Sequence, residues 1–369
     1  MLAVPWPKPL SEAVFGEDVG YEPFRRRLAK AVEVDFMDVG RGQFGKVFGV
    51  EIPATKKGTV VGKFLDYTSR QPNLEQMVCN ELTISTKLQH KNIAACFGGM
   101  QSALWPVIFF EWIRGRTLEE MLNDSIKTTG APLTEQTLRP ITGQLLEALH
   151  YLQTARVFHG DLKSDNVVVR EDGTPKIIDF GLAVEYTAER KAMVIHPRMY
   201  THPPEMNDKE MGGVDHKSVM FFLGAMVYKV AVGQNGYVGE FYELNVEEQN
   251  GRLRVGVDKS AENYQRLSPD LQDLIVWMTR YEPCERPDAA HALQSPWFTA
   301  EPGFTMPTLV NYQPQITPDQ DTDILTKMAR DLDMPEDKLA EQIMWRKNTW
   351  QSIAYRANVH AALYAPAQE

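Results

Sequence analysis

Cysteine is scarce. The 369-residue chain has three, Cys79, Cys96 and Cys284, odd in number and far apart. That spacing supports neither a disulfide framework nor a set of metal ligands, and it fits a reducing compartment. Basic residues are in deficit: 39 Lys and Arg stand against 49 Asp and Glu, a formal net charge of −10. Such a balance argues against a general nucleic-acid-binding surface. A long apolar run is missing too. The longest, Val219–Val232, is interrupted by Lys229. It is too short to span a bilayer and is expected to be a buried core helix. The opening MLAVPWPKPL lacks the basic-then-apolar order of a secretion signal. These absences predict a cytoplasmic chain, with the nucleus also open, no membrane span and no nucleic-acid partner.

Apolar residues make up 43% of the chain, enough for a sizeable core, and the length predicts two or three compact units. Residues 1–33 read as an extension, with Pro5, Pro7 and Pro9 and then a basic run, Arg25–Arg27 and Lys30. That run is a solvated helix face or, in the sharper reading, a dock for an acidic partner. Residues 34–112 read mainly as strands. Phe48, Val50 and Ile52 alternate, Lys57-Gly58 makes a turn, and Thr59–Leu65 is β-rich. One helix interrupts them, with Leu74, Val78 and Leu82 at helical spacing after Asn73 as a cap. From about 113 to 298 the pattern is mostly helical. Thr134 opens a helix whose Leu138, Ile141, Leu145, Leu149 and Leu152 step by three or four, and further helices are expected near 216–232 and 268–281. Residues 299–318 carry four prolines and read as a linker. Residues 319–369 read as a small helical tail. The fold class expected is α+β, a small strand-rich lobe and a larger helical lobe with a ligand cleft between them.

Four segments carry chemistry. GRGQFGKV places Gly40, Arg41, Gly42, Gln43, Phe44, Gly45 and Val47 together. Glycines let backbone N–H groups approach phosphate oxygens, although a ligand-free hairpin would look the same. Lys63, on an apolar strand, is either solvated or a cation for phosphates; a buried lysine needs a carboxylate, and Glu81 is the best placed, with Glu75 in reserve. HGDLKSDN sets His159, Asp161, Lys163 and Asn166 in one loop. Asp161 can accept a hydroxyl proton, Lys163 can neutralise developing charge, and the Asn166 carbonyl suits a hard metal ion. Asp179-Phe180-Gly181 follows a short strand, where a carboxylate can bind magnesium beside phosphates. At about one in twenty per position, chance coincidence of these segments is on the order of 10⁻⁷.

Together these segments resemble the eukaryotic-type protein kinase family over roughly residues 34–298. The resemblance implies the bilobal kinase fold, with ATP and Mg as ligands and a protein carrying Ser or Thr as substrate. It makes GRGQFGKV the glycine-rich loop, Lys63 and Glu81 the strand–helix ion pair, and HGDLKSDN the catalytic loop. Asn166 and Asp179 become the metal ligands. FFEWIRGRTL resembles the hinge, with Phe110 as gatekeeper and Glu111 and Ile113 as backbone contacts to adenine. Val47, Val61 and Val168 would sandwich the ring. Pro203-Pro204-Glu205 resembles the end of the activation segment, and Arg286 the arginine that pairs with its glutamate. Lys163 resembles the serine/threonine class. Two other readings stay open: a small-molecule kinase of the aminoglycoside or choline type, which also carries HGDL, and a non-catalytic scaffold.

Four positions depart from the family pattern. Gly160 replaces the arginine before the catalytic aspartate, which implies weak dependence on activation-loop phosphorylation even though Tyr186, Thr187, Tyr200 and Thr201 lie there. Val219 stands where an aspartate usually braces the catalytic loop, with Asp215 one turn away as a substitute. Ser85 occupies a usually apolar position. The stretch HPRMYTHPPE lacks the usual threonine spacing. The tail, from Asp321 to about Ala357, weakly resembles the ubiquitin-associated-like module of AMP-activated-kinase relatives. It would act in cis on the kinase domain or bind a regulator; an unrelated helical cap is the alternative.

Overall fold

The computed structural model describes residues 36–42, 45–51, 59–65, 74–100, 107–187, 191–192, 202–207, 211, 213–237 and 244–313, together with 326, 329, 330, 335 and 356. The N-terminal extension, Gln43, Phe44, Lys57-Gly58, Asn73, Tyr200, Thr201 and most of the tail lie outside these. The chain divides into two compact units. One takes in the described residues of Met1–Gln89, Ala94–Trp112 and Pro314–Glu369, the other those of His90–Ile93 and Ile113–Gln313.

The first unit is built on an antiparallel sheet. Its strands are β1 (Phe36–Gly42), β2 (Gly45–Glu51), β3 (Thr59–Leu65), β4 (Cys96–Met100) and β5 (Val107–Glu111), in the order β1-β2-β3-β5-β4. Helix α1 (Leu74–Ser85) interrupts them. β3 coincides with the β-rich run read from sequence, because Val60, Val61 and Phe64 are of the β-branched and aromatic types that strands favour. Register decides what each face carries. Val47 lies opposite Lys63 and Gly49 opposite Val61, while Val61 lies opposite Phe110 and Lys63 opposite Ile108. Directly paired residues share a face, and so do residues two apart. Val47, Gly49, Val61, Lys63, Ile108 and Phe110 therefore line one face. Phe48, Val60, Phe64, Val107 and Phe109 line the other and are almost fully buried, with Phe48 and Phe64 edge to face at 5.3 Å.

Helix α1 packs on the Lys63 face. Val78 and Leu82, one turn apart, join Ile108 in a buried cluster flanked by Cys96 and Phe110. Burial pushes the Cys96 thiol up to about 12, so it is a small core side chain and not a nucleophile. Ser85, the departure noted in the sequence, is 1% exposed, and its hydroxyl has no hydrogen-bond partner. From the tail, Arg356 donates to the Phe97 carbonyl of β4 at 2.9 Å.

The second unit is mostly helical. β6 (Gly115–Thr117) leads into α2 (Leu118–Thr129), whose start is a capping box: Glu120 N–H donates to the Thr117 hydroxyl while the Glu120 carboxylate accepts from Thr117 N–H. This satisfies two donors that a helix start leaves open. The long α3 (Glu135–Ala155) is capped by Thr134 and buries Leu138, Ile141, Leu145, Leu149 and Leu152, the residues its periodicity marked. β7 (Val157–Phe158), a 3-10 turn (Ser164–Asn166), β8 (Val167–Arg170), β9 (Pro175–Ile177) and β10 (Val184–Glu185) follow. Helix α4 (His216–Val232) is buried along nearly its whole length, as the apolar run predicted. Helices α5 (Val246–Val255) and α6 (Pro269–Met278) complete the packing. The stretch read as a proline-rich linker runs without helix or strand over 304–313 and lies along α3. Phe304 packs on Phe298 with the rings tilted at 36°, Glu301 pairs with Arg139 at 3.0 Å, and Tyr312 N–H donates to the Thr154 hydroxyl at 2.7 Å.

Candidate active site

In the sheet unit, Lys63 Nζ donates to both oxygens of Glu81, at 2.8 and 3.0 Å, and both residues are buried. The β3 register aims Lys63 at the face that α1 covers, and Glu81 sits on the turn between Val78 and Leu82. Two-point contact in a dry setting makes the pair strong, and breaking it would strand a buried charge. The expected adenine residues Val47, Val61 and Phe110 share this face. The Glu111 N–H donates to the Ala95 carbonyl at 2.8 Å, which fixes the end of β5. Sequence reasoning missed Trp112. A Cβ built on Gly49 would stand 2.6 Å from its ring, so the indole lies against the same face and only glycine fits beneath it. Gly40, Arg41, Gly42 and Gly45 are in paired strands, with Gly42 opposite Gly45.

In the helical unit the catalytic-loop residues converge. Asp161 is 5% exposed. Its Oδ2 accepts from Lys163 Nζ at 2.8 Å and from Asn166 Nδ2 at 3.0 Å. Asn166 Nδ2 also donates to the Asp161 carbonyl at 2.8 Å. Both amide hydrogens of Asn166 are thus committed, and its oxygen is the end left to face a ligand. Asp161 Oδ1 is buried and has no hydrogen-bond partner. Asp179 holds a left-handed backbone, φ 64°, which Asp tolerates better than most residues. Its Oδ1 accepts from Gly181 N–H at 3.3 Å. Strain of this kind, roughly 1–3 kcal/mol, persists where surrounding structure fixes it. Val168 sits on β8 opposite Thr117 and Lys176. Ile113 follows β5 and begins the helical unit.

His159 carries a role that the sequence left open. It is fully buried. Its Nδ1 accepts from Asp161 N–H at 3.2 Å, which puts the ring proton on Nε2, facing the Ile178 carbonyl at 3.1 Å. Burial pulls its pKa below the ordinary histidine value, against the raising influence of Asp161. A histidine held neutral in the fold contributes stability that is complete above its unfolded pKa, about 6.5, and is lost as pH falls below that. Unfolding midpoints should therefore drop between pH 7 and pH 5, and His159→Gln should flatten the drop. An unchanged pH slope in the variant would remove His159 as its cause.

The activation segment closes on the glutamate–arginine pair anticipated from the resemblance. Arg286 donates to Glu205 at 2.6 and 2.9 Å, and neither side chain has any exposure.

Gly160 has a backbone reason. Its φ is 85°, and a Cβ there would stand 2.2 Å from the Leu182 carbonyl oxygen. Restoring an arginine by Gly160→Arg should destabilise the protein by at least about 1–2 kcal/mol from the left-handed backbone alone, read as a lower unfolding midpoint in urea. A neutral result would mean that the loop adopts another path.

Val219 is 3% exposed inside α4. Asp215 is the N-cap of that helix. Its carboxylate accepts from Lys217 N–H at 2.7 Å and pairs with Lys191 at 3.2 Å. Neither partner belongs to the catalytic loop, so Asp215 caps and clamps and does not replace the missing brace.

The sequence pattern of the protein kinase domain matches residues 34–298, and the chain belongs to that family. It is 26% identical over 306 residues to the serine/threonine-protein kinase PAK mbt of Drosophila melanogaster, covering 79% of this chain and 45% of that protein. It is 26% identical over 263 residues to an Aurora kinase of Schizosaccharomyces pombe, covering 70% of this chain and 69% of the relative. With the serine/threonine-protein kinase PAK 4 of Homo sapiens it shares 26% identity over 298 residues, 77% of this chain and 47% of the relative. The chain thus spans about half the length of the two PAK relatives. No helix among the described residues is long and apolar enough to cross a membrane.

Proposed function

We propose that this chain is an ATP- and magnesium-dependent protein kinase that moves the γ-phosphate to a serine or threonine hydroxyl of a protein. The observation that carries the reading is the Asp161 carboxylate. One oxygen is held by Lys163 and Asn166, and the other is buried and unpartnered. Leaving such an acceptor empty costs about 1–3 kcal/mol, which an incoming hydroxyl would recover. In this reading the hydroxyl donates to Oδ1, and Asp161 orients it and takes its proton. Lys163, on the other oxygen, neutralises charge on the phosphoryl group. The Asn166 oxygen and the Asp179 carboxylate are hard oxygen donors of the kind magnesium takes. Bound by them, the ion would neutralise phosphate charge. Lys63, held by Glu81, is assigned to the phosphates, as is the backbone of Gly40–Gly45. Val47, Val61 and Val168 are assigned to adenine, Phe110 to the gatekeeper position, and Glu111 and Ile113 to backbone contacts with the base. Serine/threonine specificity is supported by Lys163 and by the class named for the PAK relatives.

The test is transfer from γ-labelled ATP with magnesium to mixed Ser/Thr peptides, Tyr peptides and free hydroxylated metabolites. Label on Ser/Thr peptides is expected. Label confined to metabolites would make this a small-molecule kinase. Nucleotide binding without transfer would leave a scaffold. Because no side chain fits at Gly160, an arginine anchor for a phosphorylated loop is absent at that position. Activity should therefore be equal before and after phosphatase treatment. An inactive dephosphorylated form would overturn that expectation.

A further inference from the structure

The catalytic loop lacks an aspartate from the first turns of α4, since Val219 is core and Asp215 is engaged elsewhere. A different set of groups ties the loop to the helices. Ser164, in the turn that ends at Asn166, is 1% exposed and donates to Glu119 Oε2 at 2.5 Å. Glu119 lies in the first turn of α2. The same oxygen receives Lys229 Nζ from the last turn of α4 at 2.6 Å, and Lys229 stands 3.4 Å from the Ser164 hydroxyl. Three elements, far apart in sequence, meet at one carboxylate.

We propose that Glu119, Lys229 and Ser164 are the positioning residues of the catalytic loop, fixing through one shared carboxylate oxygen the turn that presents Asn166 and, through it, Asp161. Lys229 is the interruption in the longest apolar run of the chain, and the site described above does not use it. Its place at the end of α4 suits a cation, since helix C-termini favour positive charge, and the first turn of α2 suits an anion. Partial burial works to raise the Glu119 carboxyl. The hydrogen bonds from Lys229 and Ser164, with the Lys229 charge, more than offset this and hold it below the ordinary value. An ionised Glu119 is a stronger acceptor for the Ser164 hydroxyl than a neutral one. Downstream of Ser164 the links are short. Asn166 N–H donates to the Lys163 carbonyl at 2.9 Å and Ile178 N–H to the Asn166 carbonyl at 3.0 Å. Asn166 Nδ2 then holds Asp161 at two points. A turn freed at Ser164 would misplace the Asn166 oxygen first.

The effect on transfer rests on the kinase reading; the bracing does not. The experiment uses the full chain, with Ser164→Ala, Glu119→Ala and the double variant. Amide hydrogen exchange at Asn166 and Ile178 is followed together with the rate and the magnesium concentration for half-maximal activity. Each single variant should speed exchange at these two amides about tenfold, lower kcat about tenfold and raise the magnesium requirement several-fold, with KM for peptide unchanged. The double variant should be no worse than the worse single, because Glu119 acts through Ser164. Exchange unchanged in Ser164→Ala, or effects that add in the double variant, would overturn the proposal. Ser164→Ala removes a single oxygen, so it separates positioning from folding. If the wild type transfers no phosphate, the kinase reading fails while the exchange measurement still decides the brace.

Discussion

Replacing Asp161 by asparagine should lower phosphate transfer by roughly 10²–10⁴-fold while leaving the fold and nucleotide binding intact. The substitution keeps size and shape, so no cavity opens. The amide that replaces the carboxylate has one acceptor end and one donor end. Lys163 and Asn166 are both donors to Oδ2, so the amide oxygen must take that place. The NH₂ group then occupies the position of Oδ1. There it would present hydrogens where the substrate hydroxyl needs an acceptor, and the polarity of the site is inverted at the reacting atom. The charge that balances Lys163 is lost as well. The comparison is initial rate from labelled ATP, with melting temperature and nucleotide affinity as controls. A variant that transfers at the wild-type rate would remove Asp161 from the chemistry. A variant that loses nucleotide binding would show that Asp161 supports the site and does not act on the hydroxyl.

Much of this arrangement was legible in the sequence, for reasons that differ by element. β3 was readable from its β-rich composition, α3 from a 3.6 periodicity with one buried face, and α4 from an apolar run that is buried almost all round. The Lys63–Glu81 pair was readable because a buried cation needs an anion on the neighbouring helix. The Glu205–Arg286 pair, 81 residues apart, was legible through the family resemblance, since no local pattern links its halves. Other features had no sequence signal. Nothing in the residue Gly160 states that its φ is positive or that the Leu182 carbonyl stands over it. Asp215 and Val219 are one helical turn apart, which is within the uncertainty of any helix start read from periodicity. The cluster of Glu119, Ser164 and Lys229 forms only when α2, the catalytic loop and α4 are packed. Trp112 and Gly49 meet for the same reason.

The other large effect is on stability. Arg286→Ala should destabilise the protein by about 3–5 kcal/mol. The guanidinium is entirely buried and spends its donors fully. Besides Glu205 it reaches the carbonyls of Arg280 at 2.7 Å, Tyr281 at 2.8 Å and Lys217 at 3.1 Å, and its plane lies over the Phe221 ring at 5.0 Å. Lys217 answers by donating to the Arg286 carbonyl at 2.7 Å. Truncation would leave three backbone acceptors without this donor and a buried carboxylate without its cation. Glu205→Gln keeps shape and one acceptor, so it should cost less than Arg286→Ala. The paired change Glu205→Leu with Arg286→Met should recover much of the loss, because no uncompensated charge then remains and buried ion pairs are often no more stable than apolar replacements of similar volume. At about 2–4 °C per kcal/mol for a unit of some 200 residues, Arg286→Ala should melt roughly 6–20 °C lower. Urea unfolding of the three variants checks the ranking. Arg286→Ala within 1 kcal/mol of wild type would show that the pair is dispensable. A double variant worse than either single would show that its worth lies in the ion pair and not in the penalty for breaking it. The pair also bears on function. It ties the end of the activation segment to the start of α4 and to the loop after α6, all within one unit. The three variants should therefore lose peptide phosphorylation in the same order as they lose stability, and a variant that is stable but inactive would assign the pair a separate part in holding the substrate-facing segment.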